Sequence, residues 1–233
     1  MADTDTDRVI TRPLIVAALS AFVVMAALSA WAYVRLPDDA LVPMRWGIDG
    51  EVEAYAGKLQ GLFVTVVLFP LVAGLLALVP RIEPRKVNLT RSARAFRATI
   101  YAVIVFFVAL HVLIVVTALG HAVDVNRVVP LAVGLLLVVV GNWLPKTRSN
   151  FLFGIRTPWT LTSDHTWRRT HQVGGRAFVA LGLGTIVMSL LLPTPALLAV
   201  IGGGAALITV GAFAYSYAIW RTAPDRTASD GAR

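Results

Sequence analysis

PLIVAALSAFVVMAALSAWAYV, residues Pro13–Val34, runs without one formal charge. A helix rises ~1.5 Å per residue, so about 20 apolar residues cross the ~30 Å hydrocarbon core of a bilayer. Five more stretches of this kind follow, at Gly61–Val79, Thr99–Leu119, Val128–Leu144, Ala177–Leu192 and Ala196–Ile219. Backbone surrounded by lipid must satisfy its own hydrogen bonds, so the spans must be helices. The pattern therefore predicts an all-α integral membrane protein with six transmembrane helices. The hydrophobic fraction of 57% agrees with a polytopic membrane chain. Arg8 and Arg12 precede an apolar run that is long for a signal-peptide core, so the first span is expected to be retained.

The basic residues set the expected orientation. Of the 21 Lys and Arg, seventeen fall in the N-terminal tail, the second and fourth connections and the C-terminal tail; four fall in the first and third connections. That asymmetry predicts N- and C-termini in the cytoplasm. The net charge of +8 lies beside the spans, where anionic lipid headgroups are the natural partner and no direct nucleic acid is called for. The absence of cysteine excludes disulfides, thiolate metal sites and Cys nucleophiles.

This organisation divides the chain into residues 1–80, two helices joined by an outer loop at 35–60; 81–127, a basic linker and the third helix; 128–220, helices four to six with an inner loop at 141–175; and a tail at 221–233. The outer loop carries five acids against three bases, and its prolines and glycines predict turns. Trp46 and Tyr55 suit the headgroup level. In the inner loop, Pro145 ends the fourth helix. Ser163 and Asp164 fit the start of a short amphipathic helix that places Trp167 and His171 on one face. Gly174-Gly175 is expected to close that helix, leaving it along the membrane surface. Pro193-Thr194-Pro195 allows only a tight hairpin, making the last two helices antiparallel neighbours. Glycines 182, 184, 202, 203 and 204 are expected to let helix backbones approach closely.

The inner loop also carries a long motif: Gly141-Asn142-x-x-Pro145-Lys146, Asn150, Gly154-Ile155-Arg156-Thr157-Pro158-Trp159-Thr160-Leu161, Trp167, and Thr170-His171-x-x-Gly174-Gly175. It resembles the signature of the SdpI-type immunity proteins of bacteria. The resemblance implies a multi-pass protein of the bacterial cytoplasmic (inner) membrane that protects against, or senses, a secreted sporulation-delaying toxin peptide. It also implies a cytoplasmic transcriptional repressor as partner, held at the membrane when toxin is present. On that footing Asn142, Pro145, Asn150, Gly154, Arg156, Thr157, Pro158, Trp159, Trp167, Thr170, His171 and Gly175 are the expected partner-binding residues. The outer loop is similar to the family's first extracytoplasmic loop at Pro43, Trp46, Gly50, Glu53 and Lys58. It departs from that pattern at Arg45, which stands in place of a His, and at Glu53, which replaces the more usual Asp. A role that needs a titrating imidazole is therefore not expected outside.

Other chemistry finds little footing in the sequence. Paired carboxylates, a Ser/His/Asp order and a phosphate-cradling glycine loop are all lacking, so no catalysis or cofactor is expected. His165 and His171 are six residues apart with only Asp164 nearby, which fits no metal pattern. His111 lies deep in the third span, where a neutral imidazole bonded to a neighbouring helix is the expected state. Arg156 is expected to fork onto a carboxylate or carbonyls of its own loop, and Trp159 and Trp167 to act as interfacial anchors. A small-solute or peptide transporter or channel is the alternative; it would need water-accessible polar positions around His111, Thr117, Thr185 and Ser189. An assembly factor would instead tolerate scrambling of both loops.

Overall fold

The computed structural model describes residues 9–47 and 51–226. Six long helices are apolar enough to cross a membrane, and they are named here in chain order with the smaller elements between them. They are α1 (Arg12–Arg35), β1 (Leu41–Trp46), β2 (Val52–Gly57), α2 (Lys58–Ile82), the short α3 (Lys86–Arg91), α4 (Ala93–Ala118), α5 (Val125–Trp143), a 3-10 turn (Leu144–Lys146), the short α6 (Pro158–Thr162), α7 (Asp164–Leu191) and α8 (Thr194–Arg221). Large apolar side chains such as Val34, Leu207 and Val210 point outward, at 79%, 74% and 68% exposure. Such surfaces belong against lipid, and the chain is a multi-pass membrane protein.

The helices form two groups of three, α1 with α2 and α4, and α5 with α7 and α8, joined where α4 meets α5. In the first group Met25, Phe69, Phe96 and Ile104 form the core. A buried polar tie crosses it: Ser29 Oγ donates to the Leu62 carbonyl at 2.7 Å, and the His111 ring lies 2.8 Å from Thr65 Oγ1 and 3.4 Å from Ser29 Oγ. The lone histidine of the third span is thus a bonded helix tie, as its sequence setting suggests.

Glycine sets the second group. Gly134 and Gly141 lie two turns apart on α5, and Gly182 and Gly175 two turns apart on the antiparallel α7. A Cβ built on Gly182 would stand 2.6 Å from the Gly134 carbonyl oxygen, and one on Gly175 2.6 Å from that of Gly141. The two backbones touch, which is how membrane helices gain packing energy where no hydrophobic drive exists between them. Of the glycines singled out by sequence, Gly182 meets a neighbouring backbone in this way, while Gly204 receives the Leu181 side chain of α7. Gly184, Gly202 and Gly203 face open space and do not pack.

Two sequence expectations need correction. Gly174-Gly175 does not end a surface helix, because α7 runs unbroken from Asp164 to Leu191; glycine here serves close approach. The outer loop, expected as turns, contains an antiparallel hairpin that pairs Leu41 with Gly57 and Pro43 with Tyr55, with an irregular register around Arg45. Alternating exposure along Val52–Gly57 marks the strand, and Pro43 is tolerated because a two-stranded ribbon is all edge. The last two spans are antiparallel neighbours, as expected.

Hairpin and motif loop lie at opposite ends of the bundle. The start of α5 reaches the hairpin, with Asn126 Nδ2 3.5 Å from the Gly47 carbonyl. The segment after α8 reaches the motif loop, with Ser163 Oγ donating to Asp225 at 2.6 Å.

Candidate functional site

The motif loop is a folded unit in which most motif residues bind one another. Asn150 is fully buried. Its Oδ1 accepts the N–H groups of Leu152 (3.2 Å) and Phe153 (2.7 Å), and its Nδ2 donates to the Arg148 carbonyl (2.8 Å). This local bonding turns the chain back after the 3-10 turn. Gly154 follows with φ +118°, and a Cβ there would lie 2.5 Å from His171 Nε2, so only glycine fits. The next N–H, that of Ile155, donates to His171 Nε2 at 3.0 Å. His171 Nδ1 faces the Trp167 carbonyl at 2.8 Å. One ring nitrogen accepts and the other donates, which is the neutral imidazole with its proton on Nδ1. Trp167 stacks on that ring at 3.9 Å between centroids, is 1% exposed, and donates from Nε1 to the Thr147 carbonyl at 3.1 Å. It is a core residue of the site and not an interfacial anchor.

Beyond Arg156 the motif caps α6. Thr157 Oγ1 accepts the Thr160 N–H at 3.2 Å, Thr160 Oγ1 accepts the Thr157 N–H at 2.9 Å, and Pro158 occupies the first turn, where its missing N–H costs nothing. Thr157 Oγ1 also donates to Ser216 Oγ on α8 at 3.0 Å. Trp159 packs on α8 as well, 4.7 Å from the Phe213 ring and 5.0 Å from Tyr217. Ser163 caps α7 by accepting the Thr166 N–H at 3.0 Å. Burial alone would raise the Asp225 carboxyl, but donation from Ser163 and from the His165 N–H outweighs it and holds the group below its ordinary value.

Some expected residues stand apart. Arg156 is exposed and, among the described residues, makes a single bond, Nη1 to the Phe151 carbonyl at 2.7 Å, without the fork. Asn142 is exposed near the end of α5, while Pro145 and Gly175 touch each other where α5 and α7 meet. Thr170 is buried, and its hydroxyl has no partner among the described residues.

Sequence reasoning missed the clamp that holds this loop from outside. Glu83, at 0% exposure just past α2, accepts the N–H groups of Phe151 (3.0 and 3.1 Å) and Arg85 (2.9 Å). Arg85 donates to Ser149 Oγ and, at 2.8 Å, to the Leu161 carbonyl, with its guanidinium 4.7 Å over the Phe151 ring. Asn88 Nδ2 donates to the Ser149 carbonyl, and Ser92 Oγ accepts the Arg148 N–H, both at 2.8 Å. The linker of the first helix group thus grips the loop of the second. The one sequence signal is an acid, Glu83, in a connection otherwise rich in arginine.

At the other end, Lys58 is buried and donates to the Leu36 carbonyl (3.0 Å) and to Asp38 (2.9 Å), and it sits 4.2 Å over the Tyr33 ring. It ties α1 to α2 beneath the hairpin. The Lys58 hydrogen bond and charge hold the Asp38 carboxyl below its ordinary value. Arg45 pairs with Glu53 at 3.0 Å on the exposed face, so the residue in the His position is bound to the next acid of the pattern. Pro43 and Trp46 are half-buried, and Gly50 lies outside the described residues. A groove of about 300 Å³ separates the hairpin from the starts of α5 and α8, lined by Met44, Trp46, Val129 and Leu198 among others.

Comparison with known proteins bears on this arrangement. Residues 146–216 match the SdpI/YfhL protein family, and residues 21–76, which include the hairpin, match a domain of unknown function, DUF1648. A stretch of 72 residues is 32% identical to the Immunity protein SdpI of Bacillus subtilis (strain 168), covering 31% of this chain and 35% of that relative. The chain spans about a third of the length of the curated relative it matches. No solved structure matches the chain. Over residues 146–216, which take in most of the motif loop and the last two spans, the chain is similar to the SdpI/YfhL protein family.

Proposed function

We propose that this protein confers immunity to a secreted, membrane-active peptide in the bacterial inner membrane, with the hairpin outside and the motif loop in the cytoplasm. The observation that carries the reading is the family match over residues 146–216, which begins inside the loop that the fold buries and clamps. The distribution of basic residues supports the orientation. The groove beside Met44 and Trp46 offers an apolar peptide face a seat next to the bilayer. A peptide seated there favours one arrangement of α5, α7 and α8 over another, and the motif loop, attached to all three, changes the surface it presents to a cytoplasmic regulator. Ligand preference for one arrangement is what such coupling requires.

The test is survival. Cells sensitive to secreted peptide toxins of the sporulation-delaying class should grow through a challenge when they express the chain, and the Gly154→Val variant should not protect them. Equal killing with and without membrane-inserted protein defeats the proposal.

A further inference from the structure

We propose that Arg91, Arg148 and Arg168 together form a binding site for a single phosphate group at the motif end of the bundle. The three come from separate segments: the end of α3, the loop after the 3-10 turn, and the second turn of α7. They line one small polar cavity of about 60 Å³, together with Asn88 and Asp164. All three residues are exposed, and none of their guanidinium groups makes a hydrogen bond or ion pair with a described residue. Asp164 stands one turn before Arg168 without pairing with it.

The scaffold beneath them is fixed. The Arg148 N–H is held by Ser92, the adjacent Ser149 carbonyl by Asn88, and Trp167, next to Arg168, by the Thr147 carbonyl. Three like charges aimed at one cavity repel, and one acid lining it neutralises at most one of them. An anion relieves that repulsion. Three planar forks approaching from three segments suit the several oxygens of a phosphate better than the two coplanar oxygens of a carboxylate.

Phosphate reaches such a site from two sources, the headgroup of an anionic phospholipid or a soluble phosphate compound. The bilayer edge is close: Lys146 lies 3.9 Å over the Trp143 ring at the end of α5, an interfacial pair two residues before Arg148. The site stands on its own geometry, whether or not the chain confers immunity.

The experiment uses the full chain purified in detergent. Native mass spectrometry measures retention of phosphatidylglycerol against phosphatidylcholine, with and without inorganic phosphate as competitor. Calorimetric titration with inorganic phosphate forms the second arm. R91Q, R148Q and R168Q are compared with R169Q, which removes an exposed neighbouring charge outside the cavity. Each cavity variant should lose binding roughly tenfold, the effect of one charge-assisted hydrogen bond, while R169Q binds as the parent does. No cavity variant should unfold at a lower temperature than the parent, because the replaced groups hold nothing in the fold and losing one charge only relieves repulsion. Preferential retention of phosphatidylglycerol that free phosphate does not displace assigns the lipid source. Calorimetric phosphate binding without lipid preference assigns the soluble one. Equal retention of both lipids with no phosphate binding, or an R169Q loss matching the others, overturns the site.

Discussion

Replacing Glu83 with alanine should unlatch the motif loop without dissolving the bundle. The carboxylate accepts two backbone N–H groups, those of Arg85 and Phe151, from a fully buried position. A hydrogen bond to a charged group contributes about 1.5–3 kcal/mol, and the donors left behind lose any acceptor. Since solvent partly reoccupies an opened edge, the closed loop should be weakened by about 3 kcal/mol. That corresponds to roughly a hundredfold rise in the open population. The assay is amide hydrogen exchange in detergent. Its reporters are Phe153, whose N–H is held by Asn150, and Ile155, whose N–H is held by His171; neither touches Glu83 directly. Both should exchange about a hundredfold faster, while amides in the middle of α4 stay unchanged. A change of less than about threefold at both reporters would refute the claim that the clamp holds the loop closed.

Two further predictions probe packing and charge. Gly175→Ala drives a Cβ to 2.6 Å from the Gly141 carbonyl oxygen and should destabilise the α5–α7 pair by about 1–3 kcal/mol. Gly184→Ala, which meets open space, should leave thermal unfolding in detergent nearly unmoved. Asp38 is a carboxylate lowered by Lys58, so its contribution to stability is present above pH ~4 and is lost as pH falls through its depressed folded value. An NMR titration of its carboxyl carbon should show that depressed midpoint, and Lys58→Met should return it to the ordinary range.

The six spans were legible because lipid imposes one solution on any long uncharged stretch. What escaped was whatever depended on distant partners. Glu83 and Phe151 are 68 residues apart, and no local pattern announces that one will receive the other's N–H. Gly174-Gly175 reads locally as a stop, yet within α7 its meaning comes from Gly141 and Pro145 across the helix pair. Trp167 reads from sequence as an interfacial anchor, but its Nε1 partner, the Thr147 carbonyl, lies on another segment. The i, i+4 placing of Trp167 and His171 was readable, since helix geometry alone fixes it. The hairpin was hidden by its brevity and by Pro43.

Sidedness underlies every functional statement, and a chain without cysteine makes it directly measurable. Single cysteines at Tyr55, exposed on the hairpin, and at Thr162, exposed at the motif end, can be probed in intact cells with a membrane-impermeant thiol reagent. The account predicts that Tyr55→Cys labels at once and Thr162→Cys only after permeabilisation. Labelling of Thr162→Cys in intact cells, with Tyr55→Cys protected, would contradict it.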